Sequence, residues 1–143
     1  MSAFLIGAGL TVAFMLVSRA IGLHRERGVW VTTLVAIALF YVVFAVQAGG
    51  RESIIFYIII ASGFIGMALY GFAKSLWWVV LALALHGAFD LAGICFEASP
   101  APVWWGPLCF AVDVLLAASL AVWLKRKTVS ARPASAAQNG QPN

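Results

Sequence analysis

Five long apolar runs, at residues 2–18, 29–46, 53–72, 76–95 and 103–124, alternate with short polar segments along the chain. Each run is long enough for a helix that crosses the apolar core of a bilayer, which takes about 20 residues. The separators carry turn and breaker chemistry: R-A-I-G-L-H-R-E-R-G, Q-A-G-G-R-E, A-K-S, and F-E-A-S-P-A-P with its two prolines. Short separators make sequential helices antiparallel neighbours, the third with the fourth and the fourth with the fifth. The pattern predicts an all-α integral membrane bundle of five transmembrane helices in one domain, residues 1–127. Residues 128–143, rich in Ala, Ser, Gln, Asn and Pro without apolar periodicity, are expected to form a disordered cytoplasmic tail. No internal repeat is evident, and an odd number of spans does not divide into the inverted halves of many secondary transporters.

Composition agrees with this reading, since 64% of the residues are hydrophobic and only 10% charged, outside the soluble range. The net charge of +4 does not point to nucleic acid, because the basic residues flank the apolar runs and form no patch. Their distribution predicts an orientation. Arg19, Arg25, Arg27, Lys74, Lys125, Arg126, Lys127 and Arg132 fall on one side of a five-span bundle and only Arg51 on the other, which places the amino terminus outside and the carboxyl terminus in the cytoplasm. All six tryptophans lie at run ends, as an interfacial belt requires: Trp30, Trp77, Trp78 and Trp123 on the basic side, Trp104 and Trp105 on the other. The first run has no positive leader and is expected to be a retained span. Cys95 and Cys109 fall at different depths and are expected to be free thiols packed as small apolar residues.

Against this background three ionisable side chains stand out, His86 and Asp90 in the fourth run and Asp113 in the fifth. A four-residue step puts His86 and Asp90 on one helix face, about 6 Å apart along the axis. Counting inward from the outer ends places Asp113 level with His86 near the midplane, with Asp90 one turn further out. Gly106, Cys109 and Ala117 on the side of Asp113, Gly87 and Gly93 on the fourth helix, and Ser62, Gly63 and Gly66 on the third are expected to bring backbones close.

An aspartate at mid-span costs about 2.5 to 3.5 kcal/mol on the insertion scale. An interhelical polar contact returns only about 1 kcal/mol. The imbalance favours a functional cluster over a structural clasp that merely fixes helix register. His86, Asp90 and Asp113 would then bind or relay a proton, a cation or a polar lipid head group, with Glu52 and Glu97 near the outer rim. The same three residues could hold a divalent metal, although no cofactor is required by the sequence. General acid and base chemistry on a lipid or isoprenoid is a third reading. At the mouth, Glu52 is expected to fold over the cluster with Arg51 as its partner and Gln47 beside it. Ser62, Ser119 and Thr33 are expected to bond their own helices, and Tyr41, Tyr57 and Tyr70 to pack or line a pocket. Bis-histidine haem is not expected, because the only other histidine, His24, lies in the basic loop. Expected partners are membrane lipids and no nucleic acid, and the small size is compatible with a homo-oligomer or a larger membrane complex.

The run H-G-A-F-D at residues 86–90, followed by W-W-G-P-L-C at 104–109 and Asp113, resembles a group of small bacterial multi-span inner-membrane proteins of uncharacterised function. The resemblance spans roughly the second to the fifth run. It implies a bacterial inner-membrane setting and no particular activity.

Overall fold

The computed structural model describes residues 1–93 and 99–129. The predicted end of the fourth run at 95, Cys95, Glu97 and residues 130–143 of the tail lie outside the described residues. Within them the chain is entirely helical: α1 (Ser2–Ala20), α2 (Arg27–Ala48), α3 (Arg51–Ala73), α4 (Trp77–Gly93) and α5 (Trp105–Lys125), with a single 3-10 turn at Leu23–Arg25. Helices α1, α2, α3 and α5 are long and apolar enough to cross a membrane. The 17 residues of α4 reach about 26 Å at 1.5 Å per residue, slightly less than a bilayer core.

The helices run further than the apolar stretches do, taking in Arg27, Arg51 and Lys125 at their ends, because a charged residue at a helix terminus keeps its head group in the polar layer. Reversals fall where backbone conformation demands them. Gly22 and Gly49 end α1 and α2 with φ of 77° and 75°, a region that residues bearing a Cβ rarely enter. Pro107 is harmless in the first turn of α5, where its missing N–H has no intrahelical acceptor.

Spatially the helices follow the order α1, α5, α4, α3, α2. The expected pairings of α3 with α4 and of α4 with α5 are observed, and α4–α5 and α2–α3 are the most extensive contacts. Helix α1 lies parallel to α5, with Phe4 near Phe110 at one end and the Ser119 hydroxyl donating to Met15 Sδ at 2.6 Å further along. Ser119 was expected to bond its own helix; the neighbouring sulfur competes for its proton. Ser62 does bond its own helix, to the Ile58 carbonyl at 2.7 Å.

One end of the bundle gathers the basic residues. Arg27 Nη2 donates to the Gly71 and Phe72 carbonyls at 3.2 and 2.7 Å, groups that the end of α3 leaves without helical partners. Arg51 stands at the opposite end, at the start of α3. The tryptophans divide. Trp77, Trp78 and Trp104 face outward, whereas Trp30 is only 2% exposed. Its indole donates to the His24 carbonyl at 3.0 Å and meets Trp123 edge-on, so Trp30 belongs to the core and not to a belt. A second departure concerns α3, where Ser62, Gly63 and Gly66 are exposed. The inward face of this helix is Tyr57, Ala61, Ala68 and Gly71, and its periodicity turns the predicted small-residue stripe outward.

The interior has two unlike halves. Toward the basic end lies a mostly apolar core that includes Trp30, Leu34, Leu76, Val79, Leu83, Leu116 and Leu120, with buried Thr11, Ser18 and His24 on its α1 side. Toward the other end lies a smaller group centred on Tyr41, Ala45 and Tyr57, with Phe89 and Trp105 packed against it. The polar residues singled out in the sequence sit where the two halves meet.

Candidate functional site

His86, Asp90 and Asp113 come together, buried at 1%, 0% and 0% exposure. The i, i+4 spacing on α4 aligns the first two, and the packing of α5 along α4 brings the third to them. Gly87 makes this possible: a Cβ built on it would lie 3.3 Å from Asp113 Cβ, so the absence of a side chain lets α5 approach. Gly106, Cys109 and Ala117 are buried on the same helix as Asp113, and Cys109 is a free thiol.

His86 Nδ1 faces both carboxylates. It lies 2.8 Å from Asp113 Oδ2 and 3.5 Å from Asp90 Oδ2. The shorter distance is that of a hydrogen bond, so one proton resides between Nδ1 and Oδ2, whichever atom carries it; a bare nitrogen and a bare carboxylate would repel. A third element enters from α2. The Tyr41 hydroxyl donates to Asp90 Oδ1 at 2.7 Å. Aromatic rings enclose the group, with Phe64 edge-on to His86 at 4.8 Å and Tyr41 stacked on Tyr57 at 5.5 Å.

The cluster is not internally satisfied. Asp90 Oδ2 and Asp113 Oδ1 are buried without a hydrogen-bond partner among the described residues, although buried carboxylate oxygens are ordinarily paired. Charge is also unbalanced, since two carboxylates share one imidazole and the cluster's ion pairs involve only these three residues. With His86 protonated and both acids ionised the net charge is −1, and one further proton or a monovalent cation makes it neutral. The ligand atoms of the three residues all lie within 4.8 Å of one another, close enough to converge on a metal ion.

Glu52 stands apart from the triad but near its approach. It lines a cavity of about 400 Å³ together with Tyr41, Ser53, Phe56, Tyr57 and Phe89. Tyr41 therefore both lines the cavity and holds Asp90 through its hydroxyl, and connects cavity and triad. The expected ion pair of Glu52 with Arg51 is not formed among the described residues, and the exposed Gln47 does not line the cavity. Helix geometry keeps them apart: Arg51 and Glu52 are adjacent on α3 and project about 100° apart. Tyr41 is the residue that sequence reasoning assigned only to packing or a pocket. Its one signal was a hydroxyl in the middle of an apolar run.

Comparison with protein-family models, curated proteins and solved structures returns no match to this chain.

Proposed function

We propose that the protein is a five-span protein of a bacterial inner membrane, amino terminus outside and carboxyl terminus in the cytoplasm, whose His86–Asp90–Asp113 cluster binds a proton and exchanges it through Tyr41 with the adjoining cavity. The observation that carries this reading is the pair of carboxylate oxygens without a hydrogen bond, Asp90 Oδ2 and Asp113 Oδ1, in a buried group with one acid in excess. A clasp that served packing alone would gain by pairing them. An added proton on either carboxylate supplies both the missing donor and the missing charge.

Access supports the same reading. Hydrogen-bonding groups run from Tyr41 through Asp90 and His86 to Asp113, and Tyr41 shares its cavity with Glu52. Beyond Asp113 the interior is the apolar core of Leu116, Leu120 and Leu83. Such a site takes up and releases its proton from one side and is suited to couple protonation to a change of state; a conducting path would need polar groups in both halves.

The rival reading, a structural clasp, draws on the tight approach of Gly87 to Asp113. Infrared difference spectroscopy of the reconstituted protein across a pH step separates the two. A carboxyl band that changes with pH in the wild type and is missing in Asp113→Asn, while the variant stays folded, is the expected result. A folded Asp113→Asn protein with an unchanged difference spectrum would sink the proton-binding reading in favour of the clasp.

A further inference from the structure

At the basic end of the bundle, far from the triad, Arg19, Arg25 and Arg126 line a cavity of about 250 Å³ with His24, Trp123 and Thr128. The three guanidinium groups come from three separate segments: the last turn of α1, the 3-10 turn, and the first position after α5. A positive charge near a helix C-terminus is an ordinary response to the helix dipole, and it accounts for Arg19 by itself. It does not account for three arginines lining one cavity with no carboxylate in the wall among the described residues. None of the three forms an ion pair among the described residues.

The floor is firmly built, with Arg19, Arg25 and Arg126 exposed around it. His24 is buried, its Nδ1 3.2 Å from the Ser18 carbonyl oxygen and its ring 4.8 Å from that of Trp123. The Trp30 indole holds the His24 carbonyl from beneath. On the other side the chain leaves α5 through Lys127 at φ 55°, and the Thr128 amide donates to the Trp123 carbonyl at 2.9 Å, which folds Thr128 back over the cavity. Three planar cationic forks and a hydroxyl on a fixed aromatic floor match the oxygens of a phosphate group. The position at the ends of the apolar helices is the depth of lipid head groups, and the volume exceeds that of a bare anion, leaving room for a small polar substituent.

We propose that this cavity binds a phosphate group, as the phosphodiester of an anionic lipid or as free inorganic phosphate. The inference stands on the cavity's own residues and is independent of proton binding at His86.

The test uses the full chain, purified and delipidated in neutral detergent, with phosphatidylglycerol, phosphatidylcholine and inorganic phosphate as probes. Native mass spectrometry is expected to show phosphatidylglycerol held at least about tenfold more tightly than phosphatidylcholine. The variant R19Q/R25Q/R126Q should bring that ratio close to one, whereas the charge-matched K74Q/K125Q/K127Q, changed outside the cavity, should keep it. Arg126→Gln alone, on an exposed side chain beyond α5, poses the same question with little risk to folding and should lower the ratio severalfold. Stabilisation by inorganic phosphate that depends on the same arginines would identify the free anion as the ligand; preference for phosphatidylglycerol without it identifies the lipid. Equal loss of the preference in both triple variants would overturn the proposal, as would no preference between the lipids together with no effect of phosphate.

Discussion

The Tyr41 hydroxyl donates a 2.7 Å hydrogen bond to Asp90 across 49 positions of sequence, and this bond ties α2 to the polar cluster of α4 and α5. Tyr41→Phe keeps the ring stacked on Tyr57 but leaves Asp90 Oδ1 without its donor. A buried acceptor that loses its partner costs about 1 to 3 kcal/mol, so the variant should unfold measurably earlier than the wild type in detergent. A double-mutant cycle with Asp90→Leu, which removes the acceptor, should show the two losses to be less than additive. Strict additivity would mean that the bond contributes nothing.

The contact of α1 with α5 rests on Gly7, where a Cβ would collide with the Leu108 carbonyl. Backbone cannot yield as a flexible side chain does, so Gly7→Ala should force the helices apart at a cost of about 1 to 3 kcal/mol. Gly9, two residues on, has open space around it, and Gly9→Ala should be neutral or slightly stabilising. Thermal midpoints of the two variants, compared side by side, check this; a harmless Gly7→Ala would place the α1–α5 contact in error.

The proton and metal readings differ in a distance. A tetrahedral ion with bonds of about 2.1 Å holds its ligands about 3.4 Å apart. The His86–Asp90 separation of 3.5 Å suits that, but the 2.8 Å between His86 and Asp113 is a hydrogen bond that a metal would have to open. Purified protein should therefore carry no stoichiometric divalent metal, and a chelator should leave its thermal midpoint unchanged. One metal per chain, lost in His86→Ala, would transfer the cluster to metal binding.

Orientation can be read with reporter fusions. A fusion after Lys127 should be active only as a cytoplasmic reporter, and one inserted at Ala101 only as an external one. The reverse pattern would invert the bundle and put the cavity on the cytoplasmic side.

The helices and the triad were legible in the sequence because both depend on local chemistry. Apolar length defines the helices, and an i, i+4 step on α4 beside an antiparallel α5 brings His86, Asp90 and Asp113 together. What escaped depended on contacts distant along the chain. Nothing local to Tyr41 says that α2 will lie against α4, and nothing local to Trp30 says that the loop after α1 will tuck the His24 carbonyl under its indole. Ser62, Gly63 and Gly66 misled for a related reason. Their spacing is that of a helix contact, but a helix has other faces, and Tyr57, Ala61 and Ala68 claimed the interior.

The division of the interior into an aromatic half with a cavity and a mostly apolar half has an electrical consequence. Where one half conducts protons and the other insulates, a charge that reaches the triad near the middle of its helices has crossed about half of the transmembrane field. A full crossing is worth about 2.3 kcal/mol per 100 mV. Half of it shifts the binding equilibrium of the site about sevenfold for the same change in voltage. Proton uptake by protein in vesicles should follow an imposed potential as well as pH; uptake indifferent to potential would mean that the insulating half does not insulate.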